Sequence, residues 1–412
     1  MKNIIYIAFI LFSYTISAQE IINTMFYNLL EFPEASPGGR PEILKNILAE
    51  FQPDIFMVCE LQSEEGADDI LDITLNSEST TYSRANFVDN QSGSADLQQL
   101  IFYKTNKFSL ESSEIITTTV RDINKYVLKL NTVDQDVDPI IINIFVTHLK
   151  SSQGTANKEL RLQMVTELTS HLETLDPNSF VIFAGDFNLY TSTEPAYQEL
   201  LDPTNAIIML DPIDTPGSWH NNDTYQNIHS QSTRIDSGPF GAGAGGGLDD
   251  RFDFITFSEN MMTDAKLKYV TDSYKPFGNN GNCYNMDISD ETCVGEFSQS
   301  LRNNLFSMSD HLPIIMQLET NKEFVVLSNT DFTYKKLIYL DNTLVDSWLN
   351  IDISEEYSNQ VLFSIYNTLG QEVLHFTSEN HKTNLDVSFL QSGLFYIKTN
   401  IPNQSVLKFL KR

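Results

Sequence analysis

The sequence predicts an α/β protein in which two packed β-sheets are flanked by helices, followed by a small all-β domain. Many strand-like apolar runs and few helical patterns occupy residues 20–320, whereas residues 324–412 contain short alternating strands separated by turn residues. With 412 residues, of which 41% are hydrophobic and 11% aromatic, the chain can form two or three folded domains with a large core.

The first predicted elements are a strand at 21–29 and an amphipathic helix that begins at Pro41 and ends before Pro53. Residues 54–60 follow as a short, almost entirely apolar strand, a pattern typical of a strand that is buried on both faces. Further strands are predicted at residues 81–88, 99–104, 107–118, 126–131 and 140–147.

The strongest helical pattern spans residues 157–175, where leucine and valine side chains form a stripe along one face. Because this stripe recurs at helical spacing, we expect it to pack on a sheet. The remaining predicted elements of the first domain are a buried strand at 179–185, a short helix at 195–201, and strands at 252–258 and 313–319.

The stretch of residues 203–249 is too long for an ordinary connection between two elements. Connections of that length are usually functional or disordered. Its glycine-rich run at 238–247 lacks the Gly-Lys-Ser/Thr of a P-loop, and no strand leads into it. We therefore predict a flexible loop at the rim of a site rather than a phosphate cradle.

The chain is strongly acidic, with 55 aspartates and glutamates against 26 lysines and arginines and a formal charge of −29. Such a surface repels bare nucleic acid and anionic membranes at long range. A phosphate substrate would therefore need a metal ion and a few local cations.

Residues 1–18 have the pattern of a secretory signal peptide, with Lys2, an apolar stretch at 4–12 and the small residues Ser17-Ala18 at the cleavage point. Neither this stretch nor any later apolar run is long enough to span a bilayer, so no transmembrane segment is predicted. The mature protein is expected to begin near Gln19 and to leave the cytoplasm.

The three cysteines fit an exported protein. Cys283 and Cys293 lie ten positions apart in a polar stretch and could form a disulfide in an oxidising compartment. Cys59 lies inside an apolar strand and is expected to be a small buried hydrophobic residue.

Short polar motifs close or follow the apolar runs of the first domain. Carboxylates, carboxamides and imidazoles at strand ends are the groups needed to hold a hard divalent cation and cut a phosphate ester. In chain order the motifs are Tyr27-Asn28-Leu29, Val58-Cys59-Glu60, Thr147-His148-Leu149, Gly185-Asp186-Phe187-Asn188, Arg251-Phe252-Asp253 and Ser309-Asp310-His311.

Asp186 and Asn188 follow the apolar residues 181–185 at the carboxyl end of a predicted strand. Because residues i and i+2 of an extended chain point the same way, the two side chains would face one spot. Asp186 is the candidate base that deprotonates an attacking water, and Asn188 is the candidate donor to a phosphoryl oxygen. An Asx turn that ends the strand accounts for the pair equally well.

Glu60 ends the apolar strand 54–60, where a carboxylate faces a large desolvation cost unless a cation or a donor compensates it. Mg²⁺ fits this position, because it takes one or two carboxylates and keeps several waters. Asn28 ends the first strand in the same way and could bond Glu60 or the waters of the ion. The structural alternatives are a glutamate that reaches solvent and a turn asparagine.

Two further motifs supply histidines. His148 follows a predicted strand, and Asp310-His311 precede the last strand of the domain. Asp253 could accept from one ring nitrogen of His311 and leave the other for a phosphoryl oxygen, while Asp310 could join Glu60 at the metal. A structural histidine is the alternative for His148.

Two cations lie near these motifs, Lys150 after His148 and Arg121 before the strand at 126–131. Each could bind a phosphate oxygen, and for each a solvated or structural cation is the alternative. The remaining histidines are expected to be solvated or structural.

This set of motifs resembles the endonuclease/exonuclease/phosphatase superfamily, which includes pancreatic deoxyribonuclease, neutral sphingomyelinases and inositol polyphosphate phosphatases. The most specific motifs are Gly185-Asp186-Phe187-Asn188 and Ser309-Asp310-His311. The resemblance implies a four-layer α-β-β-α sandwich of two mixed sheets and Mg²⁺- or Mn²⁺-dependent phosphoester hydrolysis. It places Asn28, Glu60 and Asp310 near the metal, and it assigns the chemistry to His148, Asp186, Asn188 and the pair Asp253 and His311.

The chain departs from that family in two respects. Deoxyribonuclease-like members pair the first histidine with an acid on a preceding strand, and here that place could belong to Asp96 or to Gln98-Gln99. The partner of His148 is therefore open. No basic stripe with interleaved aromatic residues suggests a groove for a long duplex.

The C-terminal region resembles the sorting domain of the type IX secretion system of Bacteroidetes. The resemblance depends on three segments, which are Tyr366-Asn367-Thr368-Leu369-Gly370-Gln371, Ser392-Gly393-Leu394-Phe395-Tyr396-Ile397 and Lys408-Phe409-Leu410-Lys411-Arg412. It implies that the type IX machinery is a partner and that the protein is secreted or held at the cell surface. A carbohydrate-binding or adhesion module is the alternative.

The predicted organisation is a signal peptide at 1–18, a catalytic domain at 19–320, and a linker with a β-sandwich sorting domain at 321–412. The predicted function is divalent-metal-dependent hydrolysis of a phosphodiester, first of all extracellular DNA or RNA. The alternatives are hydrolysis of a small phosphoester or phospholipid head group, and a catalytically inactive binding or adhesion protein.

Overall fold

The structure is a computed structural model that describes residues 19–237, 240–325, 338–354, 360–378, 380–401 and 407–412. The predicted signal peptide lies outside the described residues. The chain divides into two compact units, the first ending at Val325 and the second beginning at Val326. Among the described residues, no helix combines the length and apolar character that a bilayer crossing requires.

The first unit contains helices and strands that alternate irregularly along the chain. They are β1 (Glu20–Phe32), α1 (Arg40–Ala49), β2 (Ile55–Leu61), α2 (Glu64–Asp69), β3 (Tyr82–Arg84), β4 (Gln98–Lys104), β5 (Phe108–Ile116), β6 (Ile123–Leu130), β7 (Ile141–His148), α3 (Thr155–Leu172), β8 (Phe180–Asp186), α4 (Pro195–Leu200), β9 (Met209–Leu210), β10 (Asp253–Ser258), β11 (Lys268–Tyr269), β12 (Lys275–Pro276), α5 (Gln299–Met308) and β13 (Ile314–Thr320).

The described strands of this unit form two mixed sheets. The first has the order β11-β13-β1-β2-β4-β3, with β12 also paired to β13, and the second has the order β5-β6-β7-β8-β10-β9. In the first sheet β1 is parallel to β2 and antiparallel to β13. In the second sheet β8 is parallel to β7 and antiparallel to β10.

Alternation along the strands of the second sheet gives it two buried faces. Ile144 and Ile182 belong to a core shared with the first sheet, whereas their neighbours Phe145 and Val181 pack with α3 and α4. Helices α1 and α5 pack against the first sheet through residues such as Leu44. This arrangement is the predicted four-layer α-β-β-α sandwich of two mixed sheets.

Several predicted boundaries differ from the observed ones. The strand predicted at 81–88 is confined to Tyr82–Arg84, and the stretch 203–249 contains only the short strand β9 and a 3₁₀ turn at Asp223–Tyr225 among its described residues. Helix α5 was not predicted, although the Ser298 side chain accepts from the backbone N–H of Leu301 and caps its start. Its short length and its polar exposed face masked the helical pattern.

The cysteines lie as the sequence indicates. Cys283 and Cys293 are joined by a disulfide, which closes a loop of the first unit. Cys59 is free and fully buried on β2.

The second unit contains only strands among its described residues. They are β14 (Ile338–Leu340), β15 (Leu344–Val345), β16 (Trp348–Ile353), β17 (Val361–Tyr366), β18 (Glu372–Ser378), β19 (Lys382–Asp386), β20 (Gly393–Thr399) and β21 (Leu407–Lys411). A three-stranded sheet, β14-β16-β19, and a five-stranded sheet, β15-β21-β20-β17-β18, share one apolar core that includes Leu349, Phe363 and Ile397. The predicted small β-sandwich is therefore present.

Candidate active site

The sheet register brings the polar motifs to one edge of the sandwich. His148, Asp186 and Asp253 occupy one row of the second sheet, because Asp186 is paired with His148 on β7 and with Asp253 on β10. Asn28 and Glu60 lie near the carboxyl ends of β1 and β2 in the first sheet. Parallel strands end, and antiparallel strands begin, at the same edge, so six distant segments converge there.

The carboxamide of Asn28 contacts three of these segments at once. Its Nδ2 atom donates to Glu60 Oε1 at 2.9 Å and to Asp186 Oδ2 at 3.1 Å, and it lies 3.3 Å from His311 Nε2. Its oxygen accepts from the backbone N–H of Leu30 at 3.0 Å. Asn28 thus faces Glu60 with its nitrogen, as one of the two expectations had it, and its place near a metal stays a prediction.

Glu60 is a largely buried carboxylate with few donors. Its Oε2 atom accepts from the backbone N–H of Glu31 at 3.1 Å, in addition to the bond from Asn28. Burial, and then the nearby carboxylate of Asp310, raise the pKa of Glu60 above its ordinary value. A divalent cation would offset both effects, because it favours the ionised carboxylate.

Asp310 has one oxygen without a partner. Its Oδ2 atom accepts from the Ala244 N–H at 2.7 Å and from Gln231 Nε2 at 3.1 Å. Its Oδ1 atom is buried and has no hydrogen-bond partner among the described residues, and the residue is 3% exposed. A buried, unpartnered carboxylate oxygen is costly, and a hard cation is a group that it could bind.

Asp253 holds the ring of His311 in one orientation. Its Oδ2 atom lies 2.8 Å from His311 Nδ1 and accepts from Ser230 Oγ at 2.6 Å. Burial alone would lower the pKa of His311, but Asp253, Asp310 and Asp186 raise it well above its ordinary value. With Nδ1 committed to Asp253, Nε2 is the nitrogen that faces the other groups.

His148 lies on the opposite side of Asp186, and the Glu60 carboxylate lies beside its ring, with Oε1 3.7 Å from Nδ1 and so beyond hydrogen-bond distance. The Nε2 atom of His148 is 3.5 Å from Asp186 Oδ2, and its Nδ1 atom has no hydrogen-bond partner among the described residues. Asp96, one of the expected partners, accepts from Gln98 Nε2 at 3.1 Å instead. Burial, and then the charge of Arg121, lower the pKa of His148 well below its ordinary value.

Asp186 and Asn188 form the Asx turn that the sequence offered, while their catalytic roles stay predictions. The backbone N–H of Asn188 donates to Asp186 Oδ1 at 3.0 Å, which is the Asx turn, while Asp186 Oδ2 faces Asn28 and the two histidines. Burial, opposed by the charge of His311, raises the pKa of Asp186. Asn188 has a φ of 52°, so the extended-chain reasoning ends before it, and its Nδ2 donates to the Leu149 carbonyl at 3.3 Å.

The two cations are tied to the loop that follows His148. Arg121 Nη1 donates to the carbonyls of His148 and Leu149 at 3.1 and 3.0 Å. Lys150 Nζ donates to the Ser151 carbonyl at 2.9 Å, and burial lowers its pKa. Arg121 therefore stabilises the backbone that carries His148, whereas Lys150 bonds only its neighbour Ser151, and contacts of either with a substrate stay predictions.

Sequence reasoning missed two residues that position the site. Arg40 is fully buried and donates to the carbonyls of Leu29, Leu30 and Met308, so it joins the end of β1 to the end of α5. Gln231 contacts Asp310 and His311 from within the long stretch 203–249. The length of that stretch was the only signal for Gln231 and there was none for Arg40, because neither residue belongs to a polar motif at a strand end.

The glycine-rich loop packs directly on the site. Ala244 donates its N–H to Asp310, and a Cβ atom on Gly243 would lie 2.9 Å from Asp310 Cγ. The loop was predicted to lie at the rim, and its described residues touch a proposed metal ligand. Residues 238 and 239 of the run lie outside the described residues.

A second polar cluster lies beside the first. His220 Nδ1 is 2.7 Å from Asp250 Oδ1, and ligand atoms of His220, Asp249 and Asp250 lie within 4.8 Å of one another. The backbone of Asp250 pairs with that of Gln231. His220 was expected to be solvated or structural, and its bond to Asp250 is consistent with the structural role.

Comparison with known families decides the identity of the second unit. Residues 345–411 match the family model described as the secretion system C-terminal sorting domain. This region is a sorting domain. It marks the chain for export by the type IX secretion machinery, so the protein is secreted or held at the cell surface.

The first unit is similar to several solved structures. They include a humanised zebrafish TDP2 (14% identity, 73% of this chain and 99% of that chain, TM-score 0.46) and an endonuclease/exonuclease/phosphatase family protein from Bacteroides thetaiotaomicron (14%, 74% and 99%, 0.47). A mannosyl-6-phosphatase from the same bacterium is also similar (15%, 72% and 99%, 0.45). The curated proteins contain no significant match to this sequence.

Proposed function

We propose that the first unit is a divalent-metal-dependent phosphoester hydrolase that acts outside the cell or at its surface. The observation that carries this proposal is the convergence on Asn28, whose Nδ2 atom lies within 3.3 Å of Glu60, Asp186 and His311. These groups supply a cation ligand, a base and a phosphate contact within one small volume.

Glu60 and Asp310 would hold the ion, which we propose to be Mg²⁺ or Mn²⁺. The fit is supported by the unpartnered Oδ1 atom of Asp310 and by the buried carboxylate of Glu60. Carboxylate oxygens are the ligands that these hard ions prefer. When bound, such an ion supplies Lewis-acid polarisation of a phosphoryl oxygen.

The side chains around Asp186 would carry the proton transfers. Asp186 Oδ2 takes a proton from the attacking water, whose oxygen forms the new bond to phosphorus as the ester bond on the far side breaks. His311 donates from Nε2 to a phosphoryl oxygen, since Asp253 fixes its Nδ1. His148, whose lowered pKa keeps the ring neutral, donates a hydrogen bond from a ring N–H to the leaving oxygen, which then takes its proton from solvent.

The test compares wild-type protein with Asp186→Ala on bis-p-nitrophenyl phosphate in Mg²⁺ or Mn²⁺. We expect the variant to lose ~10²–10⁴ in rate while its thermal melting stays close to that of wild type, because a base has been removed. Asp136→Ala, at an exposed turn residue, is the matched control and should keep full activity. Undiminished turnover by Asp186→Ala, or by wild type in excess EDTA, would refute the proposal.

The substrate is proposed in two forms. An extracellular nuclease is the first, since an exported hydrolase would meet DNA or RNA. A small phosphoester or phospholipid head group is the second, and two observations favour the small phosphoester: the net charge of −29, and the burial of Asp186 and His311, each 2% exposed. Plasmid nicking, phosphocholine release from sphingomyelin and p-nitrophenyl phosphate hydrolysis in one metal buffer would separate the two.

A further inference from the structure

The Nε2 atom of His311 already has a close neighbour. The terminal carboxamide atom of Gln231, assigned as Nε2, lies 2.6 Å from it and 3.1 Å from Asp310 Oδ2. Gln231 is partly exposed, whereas His311 and Asp310 are almost fully buried. Gln231 therefore covers, from the solvent side, the atom that the proposed function assigns to a phosphoryl oxygen.

The geometry of this contact suits an oxygen better than a nitrogen. A carboxamide can be turned end for end without moving its carbon skeleton, because its oxygen and nitrogen have nearly the same size. A separation of 2.6 Å is short for either pair, but it lies closer to the range of about 2.7–3.2 Å for a carbonyl oxygen that accepts from a ring N–H than to the separation of two nitrogens. In that orientation Gln231 offers His311 the same kind of acceptor that a phosphoryl oxygen offers.

The second contact agrees with this orientation once a cation is present. The turned oxygen would lie 3.1 Å from Asp310 Oδ2. Two oxygens at that distance repel each other in isolation, and a divalent cation held by Glu60 and Asp310 would offset that repulsion by neutralising the carboxylate. A phosphoryl oxygen bound at this place would meet the same two neighbours.

We propose that Gln231 holds the place of a phosphoryl oxygen in the substrate-free protein, so that a phosphate group must displace its carboxamide to reach His311. This inference rests on the proposed function, because it takes His311 as the phosphate contact.

Displacement requires only the side chain to move. The backbone of Gln231 is fixed on both sides, since its N–H donates to the Asp250 carbonyl at 3.0 Å and its carbonyl accepts from the N–H groups of Asp249 and Asp250 at 2.9 and 2.7 Å. The next residue, Ser232, donates its N–H to Gly247 at 3.0 Å. With its backbone held, Gln231 would leave by a change of side-chain rotamer, and every ligand that brings a phosphate to His311 would bind more weakly by the free energy of that change.

The experiment measures the affinity of the full-length protein for inorganic phosphate by calorimetry in Mg²⁺. Inorganic phosphate is used because it lacks the ester group of a substrate, so its affinity reports on the phosphate site alone. We expect Gln231→Ala to bind phosphate roughly 3- to 10-fold more tightly than wild type, since one competing hydrogen-bonding group is gone. Gln231→Glu should bind it more weakly, because a fixed negative charge then competes for the same place.

The matched control is Gln153→Ala, whose carboxamide lies 3.1 Å from the ring of His220 instead of His311, and its phosphate affinity should equal that of wild type. Unchanged or weaker phosphate binding by Gln231→Ala overturns the inference. His311→Ala separates the two proposals: if it binds phosphate as wild type does, the proposed phosphate contact itself is wrong, whatever Gln231 does.

Discussion

His311 and His148 lie on either side of Asp186, with their Nε2 atoms 3.7 and 3.5 Å from its Oδ2, yet they are held differently. The ring of His311 is bonded to Asp253 at 2.8 Å, whereas the Nδ1 atom of His148 makes no hydrogen bond among the described residues and lies 3.7 Å from Glu60 Oε1. A ring held by a carboxylate keeps one orientation and one free nitrogen. A ring without such a partner can change tautomer, which suits it to exchange a proton rather than to hold an anion.

The largest expected effect on kcat comes from removing the ring of His311. We expect His311→Ala to lower kcat on a phosphodiester by ~10³–10⁴, because both the phosphate contact and its charge are lost. His375→Ala, at an exposed histidine of the sorting domain, is the matched control and should leave kcat unchanged. Steady-state kinetics in Mg²⁺ measure both, and a His311→Ala enzyme within threefold of wild type would contradict the comparison.

A smaller loss of kcat is expected when His311 is kept and its hydrogen-bond partner Asp253 is changed. Asp253→Asn can no longer accept from Nδ1–H with a full charge, so the free nitrogen of His311 is no longer defined, and we expect a ~10²–10³-fold lower kcat. The thermal melting temperature checks that the buried position tolerates the amide. Retained kcat with a properly folded variant would mean that Asp253 does not orient His311.

The two rings should also titrate differently in the metal-free protein. Carboxylates raise the pKa of His311, so we expect its ring to stay protonated above the ordinary range for histidine. Burial lowers the pKa of His148, so its ring should already be neutral at pH values where ordinary histidines are still charged. Ring chemical shifts followed by NMR from acid to alkaline pH measure both, and coincident titration near the ordinary value would remove the distinction.

The smallest effect on kcat is expected at Asp96, which the sequence suggested as a hydrogen-bond partner for His148. Asp96 bonds Gln98 rather than the histidine, so Asp96→Asn should change kcat by less than about threefold. A loss as large as that of Asp253→Asn would show that Asp96 reaches His148 during turnover. In that case the two histidines would be equivalent.

The sequence predicted the layers of the fold and most of the residues that meet in the site. Strand-end carboxylates such as Asp186 and Glu60 could be identified from the sequence, because burying a charge at the end of an apolar strand is costly unless a cation or a donor compensates it. The bond from Asn28 to Glu60 was one of the two options that the sequence offered, whereas the contacts of Asn28 with Asp186 and of Gln231 with His311 were not predictable, since they depend on how distant segments approach. The direction of the Asn28 carboxamide, for example, is set by its neighbours on β2 and β8.

The row formed by His148, Asp186 and Asp253 has a consequence for how function and folding are linked. Because side chains alternate between the two faces of a strand, a slip of β8 by a single position would turn Asp186 towards the helices and break the alignment with both neighbours. A misaligned sheet could still be compact and rich in strands, yet it would not hydrolyse a phosphoester. Turnover would then serve as an assay of strand alignment, reporting on misfolded molecules that spectroscopic measures of secondary structure would overlook.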